Sequence, residues 1–173
     1  MNYIKDTKLE ENNFYNMIIE IPKGTNSKYE LVEPKNDHVE EVRKVIGKYP
    51  FYYGCFPRTL AGDNDPLDVI LLTKRKYKSL DIVKVQLVGV IKTVDNGEVD
   101  DKVLVIPVDE DIKDLNKYIK KALKFLHKYK GKNANTQIDT TIYDAIEVHR
   151  IVYEAYLKYQ LGDKTLHLEI KSF

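Results

Sequence analysis

The stretch Ile82-Val83-Lys84-Val85-Gln86-Leu87-Val88-Gly89-Val90-Ile91, continued by Lys92-Thr93-Val94-Asp95-Asn96-Gly97-Glu98-Val99, decides the fold. Its first ten residues are an apolar run too short for a buried helix of ordinary length, and they are rich in β-branched side chains, so they read as a strand. Asn96-Gly97 lies between Val94 and Val99 and supplies two residues that tolerate positive φ, the requirement of a two-residue hairpin turn. In that turn Asp95 faces Glu98, Val94 faces Val99 and Thr93 faces Asp100, which makes Asp95 and Asp100 diagonal neighbours on one face. Lys102 falls on the same face, two residues further on.

Working outward, Val103–Val108 and Leu67–Leu72 read as further buried strands, and Tyr15–Ile21 as another that stops at Pro22. Lys23-Gly24-Thr25-Asn26-Ser27 is turn chemistry, after which Tyr29–Val32 resumes a strand. The acidic stretch before Arg43 reads as helix or loop. The last third changes period. Ile112, Leu115, Tyr118, Ile119, Ala122, Leu126 and Tyr129 recur at three- and four-residue steps, which predicts a helix capped by Asp109 or Asp111 and stopped near Gly131. A second helix is predicted from Ile142 to Gln160, with Thr141 and Asp144 as a capping pair and Gly162 as its end. Thr165–Lys171 alternates and reads as a short final strand. Strands first and helices last give an α+β fold: a small closed OB-like β-barrel with two C-terminal helices packed on it, residues 1–173 forming one domain.

Composition narrows the function. In 173 residues, 28 Lys and Arg stand against 27 Asp and Glu, a net charge of +1. That balance argues against a protein that coats nucleic acid or an anionic membrane. Cys55 is the single cysteine, so no internal disulfide and no cysteine-based zinc cage can form, and it reads as structural. No segment approaches the roughly 18 apolar residues of a membrane span. The N-terminal residues carry acids and no apolar signal core, so the expected location is cytoplasmic.

Chemistry concentrates in Asp63-Asn64-Asp65-Pro66-Leu67-Asp68. Three carboxylates in six residues repel one another unless a cation lies among them. Pro66 holds Asp65 extended, which turns Asp63 and Asp65 to one side, and the apolar run Val69–Leu72 anchors the group. An EF-hand is excluded, because its glycine position falls on Asp68 and its twelfth position on Lys74. Upstream, Lys28 and Glu30 share a strand face, and Glu20 lies in an otherwise apolar strand where an unpaired charge is costly, with Lys28 as a candidate partner.

With these motifs in order, the sequence resembles the soluble family I inorganic pyrophosphatases. Their acidic signature, Asp-x-Asp-Pro-x-Asp, stands here as Asp63 to Asp68. Glu20-Ile21-Pro22, Lys28-Tyr29-Glu30, Arg43, Tyr49-Pro50, Tyr53-Gly54, Asp95, Asp100, Lys102 and Tyr129-Lys130 follow the same order and spacing. The segment Lys132–Asp139, taken as a loop, and the end Leu166–Phe173 depart from the family pattern.

The resemblance implies hydrolysis of inorganic pyrophosphate to two orthophosphates by a metal-activated water. Asp63, Asp68, Asp95, Asp100 and Glu30 are the expected metal ligands, and Asp65 the expected general base. Lys28, Arg43, Tyr53, Lys102, Tyr129 and Lys130 are expected to bind phosphate oxygens, with Glu20 and Tyr49 supporting them. All-oxygen donors suit several Mg²⁺, with Mn²⁺ a substitute. The resemblance also implies a homo-oligomer, commonly a hexamer among bacterial relatives, with pyrophosphate as partner and neither nucleic acid nor membrane. Two rival readings use other features. Lys74-Arg75-Lys76-Tyr77-Lys78 with thirteen tyrosines would suit a nucleic-acid module, and the same acids would serve a phosphohydrolase of nucleotides or polyphosphate.

Overall fold

The computed structural model describes residues 1–132, 136–139 and 145–171. A short helix, α1 (Tyr3–Asp6), is capped by the Asn2 side chain, which accepts from the Ile4 and Lys5 amides. Seven strands follow: β1 (Glu10–Glu11), β2 (Phe14–Ile21), β3 (Ser27–Leu31), β4 (Val39–Lys44), β5 (Tyr52–Cys55), β6 (Asp68–Leu71) and β7 (Ile82–Asp95). Then come β8 (Glu98–Val99), β9 (Lys102–Pro107), α2 (Leu115–Leu126), β10 (Thr136–Asp139) and α3 (Ala145–Lys171).

The long strand β7 organises the sheet. Its first residues pair antiparallel with β2, its middle with β9, and its last four with β10, while its tip turns back into β8. Strand β2 also pairs with β5, β5 with β6, and β6 runs parallel to β9. The pairings therefore pass from β2 through β5, β6, β9 and β7 and return to β2. The apolar runs of β6 and β9 follow from this placement, because both faces are covered. Val69, Leu71, Val103 and Val105 pack with Val148, Ile151, Val152 and Ala155 of α3. The alternate residues Ile70 and Leu104 pack on the other side with Ile119, Ala122, Phe125 and Leu126 of α2.

The hairpin has the expected register. Val94 opposes Val99, Asp95 opposes Glu98, and the Asp100 amide donates to the Thr93 carbonyl at 2.8 Å. Asn96 and Gly97 both have positive φ, 50° and 80°, as this turn requires. Gly131 has positive φ, but α2 ends at Leu126, before the stop expected near Gly131, and residues 127–130 form turns.

Several expectations are corrected. The acidic stretch before Arg43 is neither helix nor loop but β4, paired with β3 in a two-stranded ribbon. Most of its side chains are exposed, so no alternating apolar signal was available. Helix α2 begins at Leu115 with Asp114 in the cap position and no side-chain cap bond. Asp109 is engaged elsewhere, its carbonyl accepting from Arg75. Residues 136–139, taken as loop, pair with β7. Thr165–Lys171 is helical, and α3 runs through Gly162. A mid-helix glycine costs only about 1 kcal/mol relative to alanine and does not by itself end a helix. The predicted capping pair Thr141 and Asp144 lies outside the described residues.

Candidate active site

The acidic signature sits on a loop closed by its own hydrogen bonds. The Phe56 amide donates to the Leu67 carbonyl at 3.0 Å, so the loop starts and ends at one point. Across it lies the fully buried Thr59 hydroxyl, which donates to the Phe56 carbonyl at 2.7 Å and accepts from the Leu67 amide at 3.0 Å. Asp63 Oδ1 accepts from the Asp65 amide at 3.1 Å, a local turn of the kind aspartate makes readily. The loop then enters β6 at Asp68, whose register partner on the parallel strand β9 is Lys102.

These elements open onto one cavity of about 570 Å³. All seven acids singled out in the sequence line it: Glu20 from β2, Glu30 from β3, Asp63 and Asp65 from the loop, Asp68 from β6, and Asp95 and Asp100 from the hairpin. Lys28, Lys102, Lys130, Tyr49, Tyr53 and Tyr129 line it too. Arg43 is not part of the wall. It pairs across the ribbon with Lys28, and its guanidinium carbon lies 5.9 Å from the centre of the Tyr129 ring. The Tyr49, Phe51 and Phe125 rings pack tightly, with Tyr49 and Phe125 centroids 4.7 Å apart, and hold Tyr53 and Tyr129 against the cavity.

The charges are unevenly paired. Lys102 is almost fully buried, with its ammonium 2.9 Å from Asp68 Oδ2, 3.1 Å from Asp100 Oδ2 and 5.6 Å from the Tyr53 ring centre. Lys28 pairs with Glu30 at 2.7 Å, and Lys130 with Asp95. Glu20 was expected to pair with Lys28 and instead accepts from the Leu31 amide at 3.0 Å. Burial pushes its carboxyl up to about 8, with Asp68 and Glu30 adding to the effect. Asp68 is raised to about 7, burial and the neighbouring Asp100 outweighing Lys102. Asp100 faces a burial cost too, but Lys102 and the bond from Asp68 bring it below the usual carboxylate range. Asp63 and Asp65 are both raised by burial, Asp65 also by Asp63, Glu30, Glu33 and Asp100. Burial likewise raises the Cys55 thiol, which is buried in the core as a structural residue would be.

Eight carboxyl side chains line the cavity against four lysines, so its acids outnumber its bases. Its donors are carboxylate oxygens, the ligand type that hard divalent cations prefer. Among the described residues no three carboxylates stand close enough to form a ready-made cation cage. The ammonium groups of Lys102 and Lys130 lie between or against them instead.

The cavity includes residues that the motifs did not reveal. Ile4 and Lys5 of α1, Glu33, Thr59 and Tyr159 of α3 all line it. For α1 the only local signal is the cap residue Asn2, and nothing in the sequence places that helix near the acids.

Known proteins resemble this chain in sequence and in fold. The family model described as inorganic pyrophosphatase matches residues 17–160. The chain is 31% identical over 161 residues to a soluble inorganic pyrophosphatase of Zea mays, covering 83% of this chain and 74% of that protein. It is 35% identical over 130 residues to an inorganic pyrophosphatase of Helicobacter pylori, covering 69% and 75%. The crystal structure of an inorganic pyrophosphatase from Thermus thermophilus superposes with a TM-score of 0.81 at 26% identity, covering 92% of this chain and 99% of that one. One from Neisseria gonorrhoeae gives 0.80 at 26% identity, covering 91% and 99%. The matched span runs from within β2 into α3 and takes in every cavity carboxylate. On these grounds the chain belongs to the inorganic pyrophosphatase family and is an inorganic diphosphatase, hydrolysing pyrophosphate to phosphate.

Proposed function

We propose that this diphosphatase works only with divalent cations, Mg²⁺ first and Mn²⁺ as a substitute, held by Asp63, Asp68, Asp95, Asp100 and Glu30. The observation that carries this reading is the carboxylate surplus of the cavity, whose lining sets eight acids against four lysines. Bound cations would offset that surplus, neutralise substrate charge and lower the pKa of a bound water.

The chain's own residues do the rest. Asp65 accepts the proton of the attacking water as the water oxygen bonds to one phosphorus and the bridging P–O bond breaks. Burial and its acidic neighbours raise this carboxyl, which makes it a better base than an ordinary aspartate. Lys28, Lys102 and Lys130 receive phosphate oxygens through charge-assisted hydrogen bonds, Tyr53 and Tyr129 add hydroxyl donors, and Arg43 reaches the phosphate from outside the wall, beside the Tyr129 ring. Glu20 and Tyr49 act behind them, Tyr49 through the ring packing that seats Tyr53 and Tyr129. The ring of strand pairings supports reading the sheet as a closed OB-like barrel. We further propose a cytoplasmic homo-oligomer. Among the described residues no helix is long and apolar enough to cross a membrane.

The roles are tested by Asp65→Asn and Asp100→Asn, each of which removes a charge at nearly constant volume. Turnover of pyrophosphate should fall by about 10²–10⁴-fold for Asp65→Asn, the usual contribution of a general base, with the circular dichroism spectrum unchanged. Wild-type turnover in either variant would refute its assigned role. Running ATP and polyphosphate beside pyrophosphate tests the preference for the smallest substrate.

A further inference from the structure

The acidic loop is held from behind as well as within. One turn of α3 grips two consecutive loop residues. The Leu60 amide donates to the Ala155 carbonyl at 3.0 Å, and the Lys158 ammonium donates to the Ala61 carbonyl at 2.9 Å. Ala61 is the point on which the signature turns. Its amide donates to the Asp65 carbonyl at 2.8 Å, and its carbonyl also accepts from the Asn64 amide at 3.1 Å. On its other side the loop meets the hairpin. A Cβ placed on Gly62 would lie 2.8 Å from the Val99 carbonyl oxygen, so only glycine allows this approach. Behind the loop, Leu60, Ala61, Gly62, Val99 and Lys158 share a second cavity of about 380 Å³, separate from the catalytic one except at Leu60. Ala61 is itself buried in the cluster that includes Ile151, Val152 and Ala155 of α3, and the Lys158 bond spans the cavity beside it.

We propose that Lys158 is a positioning residue for the reaction. It tethers the Ala61 carbonyl and thereby sets where Asp63 and Asp65 stand relative to Asp95 and Asp100. The inference rests on the cation-binding reading given above. Asp63, Asp65 and Asp68 repel one another, and that repulsion drives an unheld loop outward from the cavity. A tether on the opposite side of the peptide opposes the movement without touching substrate. The long, flexible lysine suits a carbonyl acceptor, and arginine can donate to the same oxygen.

The experiment uses the full chain carrying Lys158→Met, which keeps the apolar stem and removes the donor, and Lys158→Arg, which restores one. Mn²⁺ binding to metal-stripped protein is followed by electron paramagnetic resonance, with melting temperature and kcat and KM for pyrophosphate measured alongside. Lys158→Met should weaken Mn²⁺ binding by about tenfold, the low end of what outer supporting contacts contribute at metal sites, and raise the Mg²⁺ concentration for half-maximal activity in parallel. Its metal-free melting temperature should stay near that of the parent, and Lys158→Arg should recover Mn²⁺ affinity. Parent-like Mn²⁺ binding by Lys158→Met overturns the proposal. So does an affinity loss that accompanies a lowered metal-free melting temperature and is equal in Lys158→Arg, because that pattern belongs to a purely structural contact. Asp65→Asn assayed in parallel separates the two readings. Full turnover in that variant overturns the catalytic assignment of the loop, whereas parent-like binding by Lys158→Met overturns the tether alone.

Discussion

Lys102 and Asp68 are register partners on the parallel strands β9 and β6, and their charged groups meet at 2.9 Å in the interior. The ladder itself brings the pair together. The strand direction that places Val103 beside Val69 and Leu104 beside Ile70 also sets the ammonium next to the carboxylate. Lys102, Asp68 and Glu20 are thus built into the sheet, while the other acids come from the signature loop, the ribbon and the hairpin.

Removing the base should be costly. Lys102→Met leaves Asp68 and Asp100 without their shared cation in a site from which the lysine side chain is almost fully excluded from water. Breaking a buried pair on one side typically destabilises by about 3–5 kcal/mol, and Asp68 protonation relieves part of this. Urea unfolding of the metal-free protein at pH 7 should show a loss in this range. A loss below about 1 kcal/mol, the level of surface pairs, would mean that the pair is effectively solvated.

Thr59→Val tests how the signature loop is closed. The substitution keeps the shape and removes the hydroxyl that joins the Phe56 carbonyl to the Leu67 amide. A buried amide left without an acceptor costs about 1–3 kcal/mol. Urea unfolding of the variant should show a stability lower by that amount, with the midpoint moved down and the slope unchanged. Parent-like stability would show that water replaces the hydroxyl.

Much of this was legible before the fold was known, for physical reasons. The Asn96-Gly97 turn and the strand register are local, so two residues at positive φ settle which carboxylates share a face. Asp63 to Asp65 is not the extended run that Pro66 suggests: Asn64 has positive φ and Asp63 accepts from the Asp65 amide, so a turn places these two carboxylates. The ribbon β3–β4 was half hidden, since its exposed faces give Val39–Lys44 no apolar alternation. At the end of α3, Leu166, Leu168 and Ile170 alternate as in a strand, and the helix that begins at Ala145 runs on through them against that local pattern. Contacts made across long separations left no trace at all. Lys5 reaches the cavity from α1, and Lys158 reaches Ala61 over 97 positions.

Glu20 makes stability depend on pH. Its folded-state carboxyl is raised from 4.5 to about 8, so between those values the folded protein holds a proton that the unfolded chain has lost. Stability from this group is therefore complete below pH 4.5 and declines as pH rises toward 8. Asp68, raised to about 7, adds in the same direction. The metal-free melting temperature should fall as pH rises from 5 to 8, and Glu20→Gln should flatten that fall. An identical slope in the variant would place the linked proton elsewhere.

The most direct measurement is phosphate release from pyrophosphate by protein stripped of metal, before and after Mg²⁺ is returned. Negligible release without Mg²⁺ and full recovery on its return are expected if the carboxylate surplus of the cavity exists to hold divalent cations. Sustained release in the presence of a strong chelator would contradict that claim.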